Sequence, residues 1–160
     1  MLINIPRGML EGGREMTKEE ILEMEAEEEL DRLVATEVMG EPMPEFVPED
    51  ALDLQLAGSP VKSPQGNWLC LCKYDEGDIP IWQPLSFSAD ISVAWQVLKK
   101  LREEYWCIEI KIADGCWVIM ELLRKPPIRV EVDAGTPFEK LPEAICKAAL
   151  LAKYSKNKLL

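Results

Sequence analysis

The 160-residue chain carries 18 basic and 29 acidic side chains, five cysteines and no histidine. Without an imidazole, Ser-His-Asp and Cys-His catalysis, His-ligated zinc and a histidine pH switch are all excluded. A net charge of −11 speaks against an affinity built on neutralising phosphates, and the length fits one domain that buries roughly 70% of its unfolded surface.

Residues 1–15 stand apart from the rest of the chain. Glu11-Gly12-Gly13 back-translates to a purine run shortly before the codon for Met16, as a bacterial ribosome-binding site would look if read as protein. Residues 1–15 are therefore expected to be a non-native or disordered extension, and residues 16–160 a single α/β domain. Met1–Pro6 lacks the basic start of a signal peptide, and no run approaches the ~20 apolar residues of a membrane span. A cytoplasmic protein with five free thiols is expected.

Thr17-Lys18-Glu19-Glu20 has the form of a capping box. Leu22, Ala26, Leu30, Leu33, Val34 and Val38 follow at helical spacing, so the pattern predicts one helix, ended by Gly40. The excess acid lies in this part of the chain: residues 11–50 carry 15 acidic and 3 basic side chains, whereas residues 51–160 carry 14 of each. Residues 41–84 read as an irregular elaboration rich in proline, with a strand at Asn67–Tyr74 and loop again from Asp75 to Pro84. Cys70-x-Cys72 has no second ligand pair at zinc-site spacing and reads as core thiols. Asp75-Glu76-Gly77-Asp78 lacks the further oxygen ligands of a calcium loop.

From Ser88 onward the pattern is clearer. Ser88 or Asp90 caps a second helix whose stripe is Ile91, Ala94, Trp95, Val97, Leu98 and Leu101. Period two begins at Tyr105, with Trp106, Ile108, Ile110 and Ile112 on one face. A three-residue loop, Ala113-Asp114-Gly115 with Gly115 left-handed, sets Ile112, Ile110 and Ile108 against Cys116, Val118 and Met120. A two-residue turn would oppose Ile108 to Glu121 and bury a carboxylate. Ile128, Val130 and Val132 alternate as a third strand, and Pro142 opens a last helix with Ile145, Ala148, Ala149 and Ala152 inward. Trp117 and Ile119 fall on the opposite sheet face, for which helix one is the available cover. The predicted fold is a three-layer α-β-α sandwich with a small, mainly antiparallel sheet, its core order α-β-β-β-α preceded by an N-terminal helix.

Three ordered motifs carry a resemblance. Glu29-Leu-Asp-x-Leu-Val-Ala-x-x-Val-Met-Gly40, Ser88-x-Asp-Ile-Ser-x-Ala-Trp95 and Pro142-Glu-Ala-Ile-Cys-Lys-Ala-Ala-Leu-Leu-Ala152 make the chain similar to the phage ABA sandwich domain. This is a family of small, uncharacterised bacteriophage and prophage proteins. The resemblance covers roughly residues 16–40 and 85–155, and residues 41–84 depart from its pattern. It implies a fold and a phage context, and no reaction, cofactor or catalytic residue.

Direct search agrees: there is no phosphate loop, dinucleotide fingerprint or Gly-x-Ser-x-Gly elbow. No catalytic, metal-binding or cofactor-binding residue is nominated. The expected function is that of a non-enzymatic acidic module that binds a phage or host protein. Its partner-binding candidates are Glu25, Glu28, Glu29 and Asp31 on the exposed side of helix one, and Trp82 in the elaboration with Trp68, Ile79 and Ile81. One alternative is a DNA-mimic decoy, since Glu19–Asp31 places eight carboxylates along about 20 Å of helix. A nucleic-acid-binding accessory domain is disfavoured: α-β-β-β-α is the order of double-stranded-RNA-binding domains, but Pro142-Glu143 stands where a basic helix start belongs.

Overall fold

The Thr17 side chain accepts from the Glu20 amide at 3.2 Å and Glu20 reaches back to the Thr17 amide at 2.6 Å, so the capping box forms as the sequence predicts. The structure is a computed structural model and describes residues 9–10, 14–48, 50–51, 53, 57, 61–72, 80–135 and 138–158. Of the expected extension, only the paired strands β1 (Met9–Leu10) and β2 (Arg14–Glu15) are described; the remainder of residues 1–15, the Asp75–Asp78 turn and Ile79 lie outside the described residues.

The single predicted first helix is divided. It comprises α1 (Lys18–Glu23), α2 (Glu28–Leu33) and a π-helical turn over Val34–Val38, with Met24 in extended backbone between the first two. Charge works against a continuous helix here. Glu19, Glu23 and Glu27 are four apart, as are Glu25 and Glu29, and like charges at that spacing oppose a continuous helix. Ala26 is exposed as a result, while Leu30, Leu33, Val34 and Val38 enter the core. Gly40, at φ +74°, ends the segment in the left-handed conformation expected of a C′ residue.

The elaboration holds one more strand than its prolines suggested. β3 (Trp68–Cys72) pairs antiparallel with β4 (Pro80–Pro84), Cys70 opposite Trp82. Both are edge strands of a two-stranded sheet, where a missing proline N–H leaves no ladder bond broken on the open side.

Helix α3 (Ile91–Glu103) leads into a three-stranded antiparallel sheet, β5 (Cys107–Ile112), β6 (Cys116–Leu122) and β7 (Ile128–Gly135), in that spatial order. Ile108 faces Met120, Ile110 faces Val118 and Ile112 faces Cys116, which is the register chosen by keeping every apolar residue on one face. The loop does span residues 113–115, but Gly115 is not left-handed. Its glycine is instead set by close approach: a Cβ there would lie 3.3 Å from the Gly135 carbonyl oxygen and 3.4 Å from the Trp117 ring.

The last helix, α4 (Leu141–Lys158), is buried almost all round from Leu141 to Tyr154. β6 and β7 cover one side, α3 lies alongside, and α1, α2 and the π-turn cover the other. A helix apolar on all faces belongs inside a fold, and Ala144-Ile-Cys-Lys-Ala-Ala-Leu-Leu-Ala152 has only Lys147 to break the run. That lysine, though buried, donates from Nζ to the Leu22 carbonyl oxygen at 2.7 Å, just before the break after α1. The fold is thus a mixed α/β sandwich with small antiparallel sheets, as predicted. Helix one, expected over Trp117 and Ile119, packs on α4 instead.

Candidate protein-binding surface

Asp90 starts α3 by accepting from the Ser92 amide at 2.9 Å and the Ser92 hydroxyl at 2.6 Å. Those two bonds hold its carboxyl below the usual range. At the far end, the Trp106 amide donates to the Leu101 carbonyl and the Tyr105 amide to the Arg102 carbonyl, both at 3.1 Å. This is a Schellman cap whose C″–C3 apolar contact is Trp106 and Leu101, both fully buried. Its C′ residue is Tyr105 at φ +69°, a left-handed position that favours glycine, and the tyrosine is 83% exposed.

Four of the six residues of the predicted stripe on α3 are covered. Ala94, Val97, Leu98 and Leu101 are buried, whereas Ile91 is 44% and Trp95 57% exposed. At 100° per residue the six positions span about 160°, wider than the roughly 100° stripe one buried face requires. That excess width was the signal in the sequence. Beside the uncovered margin runs β5, an edge strand whose inner face offers Ile108 and Ile110 half-buried and Ile112 58% exposed. Helix and strand enclose an open groove of about 580 Å³ lined by Trp95, Leu98, Lys99, Arg102, Glu103, Ile108 and Ile110. Residues 91–112 carry four basic and three acidic side chains, so the surface is close to neutral in an acidic protein.

The residues nominated from sequence are not brought together. Glu25 and Glu29 are exposed, on the break and on α2. Glu28 is half-buried and paired with Arg32. Asp31 is a correction: it is only 7% exposed, and its carboxylate accepts from the Ser88 amide at 2.7 Å. Burial pushes its carboxyl up, contact with Ser88 works the other way, and Glu28 adds to the rise. Trp82 is also buried, its ring N–H donating to the Phe46 carbonyl at 2.6 Å, so it ties the 43–48 loop to β4. Trp68 is fully buried as well, with the Arg32 guanidinium 5.7 Å above its ring.

Among the described residues no three Cys, Asp or Glu side chains stand together as metal ligands. Cys146 is fully buried and burial pushes its thiol well above the ordinary range, which keeps it protonated and unreactive. No described helix is long and apolar enough to cross a membrane. What the groove offers is apolar contact beside a strand edge with no described neighbour, the combination that accepts an added strand or helix.

The family model of the phage ABA sandwich domain matches residues 32–150. The match starts within α2 and runs through residues 41–84, which the three sequence motifs alone had left outside. No curated protein and no solved structure matches the chain.

Proposed function

The chain belongs to the phage ABA sandwich domain family, and from that premise we propose that this phage protein works by binding another protein in the host cytoplasm and catalyses nothing. The observation that carries the proposal is the uncovered margin of the α3 stripe, Ile91 and Trp95, lying beside the edge strand β5. Ile91, Trp95 and Ile112 fall at positions whose period marks them as core, yet the described chain leaves them in water. A contiguous apolar face of that kind, rimmed by Lys99, Arg102 and Glu103, is the composition of a docking site.

The alternatives draw less support. A DNA mimic needs regularly spaced charge, but the break at residues 24–27 and the burial of Asp31 take the carboxylates off one line. Binding of duplex RNA in the manner of the similar element order needs an open helix face, and α4 is covered on both sides.

The test is capture from host lysate with tagged wild type and a Trp95→Ser variant. Because Trp95 is exposed, the variant is expected to melt at the wild-type temperature. Proteins retained by the wild type should be lost by the variant. Retention of the same set by both would remove the groove from the function.

A further inference from the structure

We infer that the occupant of the β5 edge is β5 of a second copy of this chain, in a two-fold antiparallel pairing centred on Ile110. The inference rests on the reading of the α3–β5 surface as protein-binding and names its partner.

Three observations lead to it. The first is that, among the described residues, no strand pairs with the outer side of β5. Natural edge strands are blunted by proline, inward-pointing charge, a bulge or charged side chains along the edge; Cys107-Ile-Glu-Ile-Lys-Ile112 has only the last, in Glu109 and Lys111, and the register shift in this sheet lies between β6 and β7. The opposite edge, β7, is flanked by α1, with Lys18 and Ile21 beside Arg129 and Glu131.

The second is self-complementarity of charge. Glu109 and Lys111 share the outer face, lie 3.7 Å apart as an exposed ion pair within the strand and are each more than half exposed, so each can turn to a partner across the edge. With Ile110 on the axis, Glu109 stands opposite Lys111 of the second copy and Lys111 opposite its Glu109, giving two favourable cross-strand pairs. A two-residue slip sets Glu109 against Glu109, or Lys111 against Lys111. A one-residue slip turns the two helix layers to opposite faces of the joined sheet.

The third is continuity of the apolar face. In the chosen register Ile110 meets Ile110 and Ile108 meets Ile112, so the two inner faces become one. The axis stands perpendicular to the sheet and keeps both helix layers on the same side, bringing Trp95 of each copy toward the junction. Tyr105 falls opposite Gly115 of the second copy, which places the strained, exposed tyrosine against that copy's 113–115 loop. Residues 91–112, which supply this junction, are close to neutral and so add little charge repulsion to it.

Sedimentation equilibrium of the full chain tests the proposal. Wild type is expected to dimerise. Lys111→Glu and Glu109→Lys should each weaken the dimer at least about tenfold, or about 1.4 kcal/mol, because each makes both cross-strand pairs like-charged. Mixing the two variants should form a heterodimer, and the double variant E109K/K111E should dimerise as wild type does. This recovery separates a lost interface from a lost fold. A wild type still monomeric at about 100 µM, or a dimer indifferent to both reversals, overturns the inference. If that monomer still captures a host protein through Trp95, the second copy is wrong and the protein-binding reading stands. If it captures nothing, both fall.

Discussion

The Asp31 carboxylate on α2 and the backbone N–H of Ser88, 57 positions apart, form a buried hydrogen bond of 2.7 Å that fixes the approach to α3 against the N-terminal helices. The acid is held there at a cost, since burial pushes its pKa above the ordinary 3.8. A carboxyl whose pKa is raised by folding destabilises the fold where it is ionised, and this penalty fades as pH falls through the folded value toward the unfolded one. Asp31→Asn keeps an acceptor and removes the charge. It should be at least as stable as wild type at neutral pH, with its advantage gone near about pH 4. Asp31→Ala orphans the Ser88 amide and should lose about 1–3 kcal/mol. Urea unfolding at both pH values checks this; an Asn variant as weak as Ala at neutral pH would refute it.

Tyr105 is the second residue held against its preference. A left-handed conformation costs an L-residue about 1–2 kcal/mol, and the exposed ring gains little from the chain to offset it. Tyr105→Gly should therefore raise stability by about 1 kcal/mol, read as a higher urea midpoint at unchanged slope. An unchanged midpoint would show that the Schellman cap tolerates tyrosine without strain.

The sheet was legible in the sequence because its alternatives were chemically unequal. Only one register kept Ile108, Ile110 and Ile112 together and Glu121 out of the core, so Ile110 opposite Val118 could be derived. The helices were less so. Period alone joined α1 and α2, since Leu22, Leu30 and Val34 do share a stripe, and the repulsion among Glu19, Glu23 and Glu27 that parts them is a weak term beside tertiary packing. Asp31 was placed on the outer face because an acid is rarely buried, and its partner, an amide 57 positions away, leaves no local trace. The groove was hidden by its own residues: Trp95, Ile108 and Ile110 look like core in any periodic reading, and only a fold shows which core positions stay bare.

The thiols give a direct measure of that burial. Cys107 is exposed on the outer face of β5, while Cys116 and Cys146 are buried and free. Cys107 should react with an alkylating probe within minutes in the native protein, with Cys116 and Cys146 protected until the chain unfolds. The unfolded, unreduced chain should titrate all five thiols, and a count of three would reveal a disulfide. Mass spectrometry of the labelled peptides assigns each site.

The acidic segment can be separated from the groove by the same logic of exposure. Glu25 and Glu29 stand in solvent, so reversing both to lysine should change stability by no more than about 0.5 kcal/mol each. Glu28 differs. Glu28→Lys removes the partner of Arg32 and sets a second cation beside it, and Arg32 also lies over Trp68. That variant should be the least stable of the three, by about 1 kcal/mol. If the acidic ridge steers a basic partner, the double variant Glu25→Lys/Glu29→Lys should slow association while leaving dissociation unchanged, and the effect should shrink as salt rises. Surface plasmon resonance at two salt concentrations resolves the two rates. A change confined to dissociation would mean that the ridge is touched in the complex, and unchanged rates would leave the acid as a solvated face and the groove as the whole of the interface.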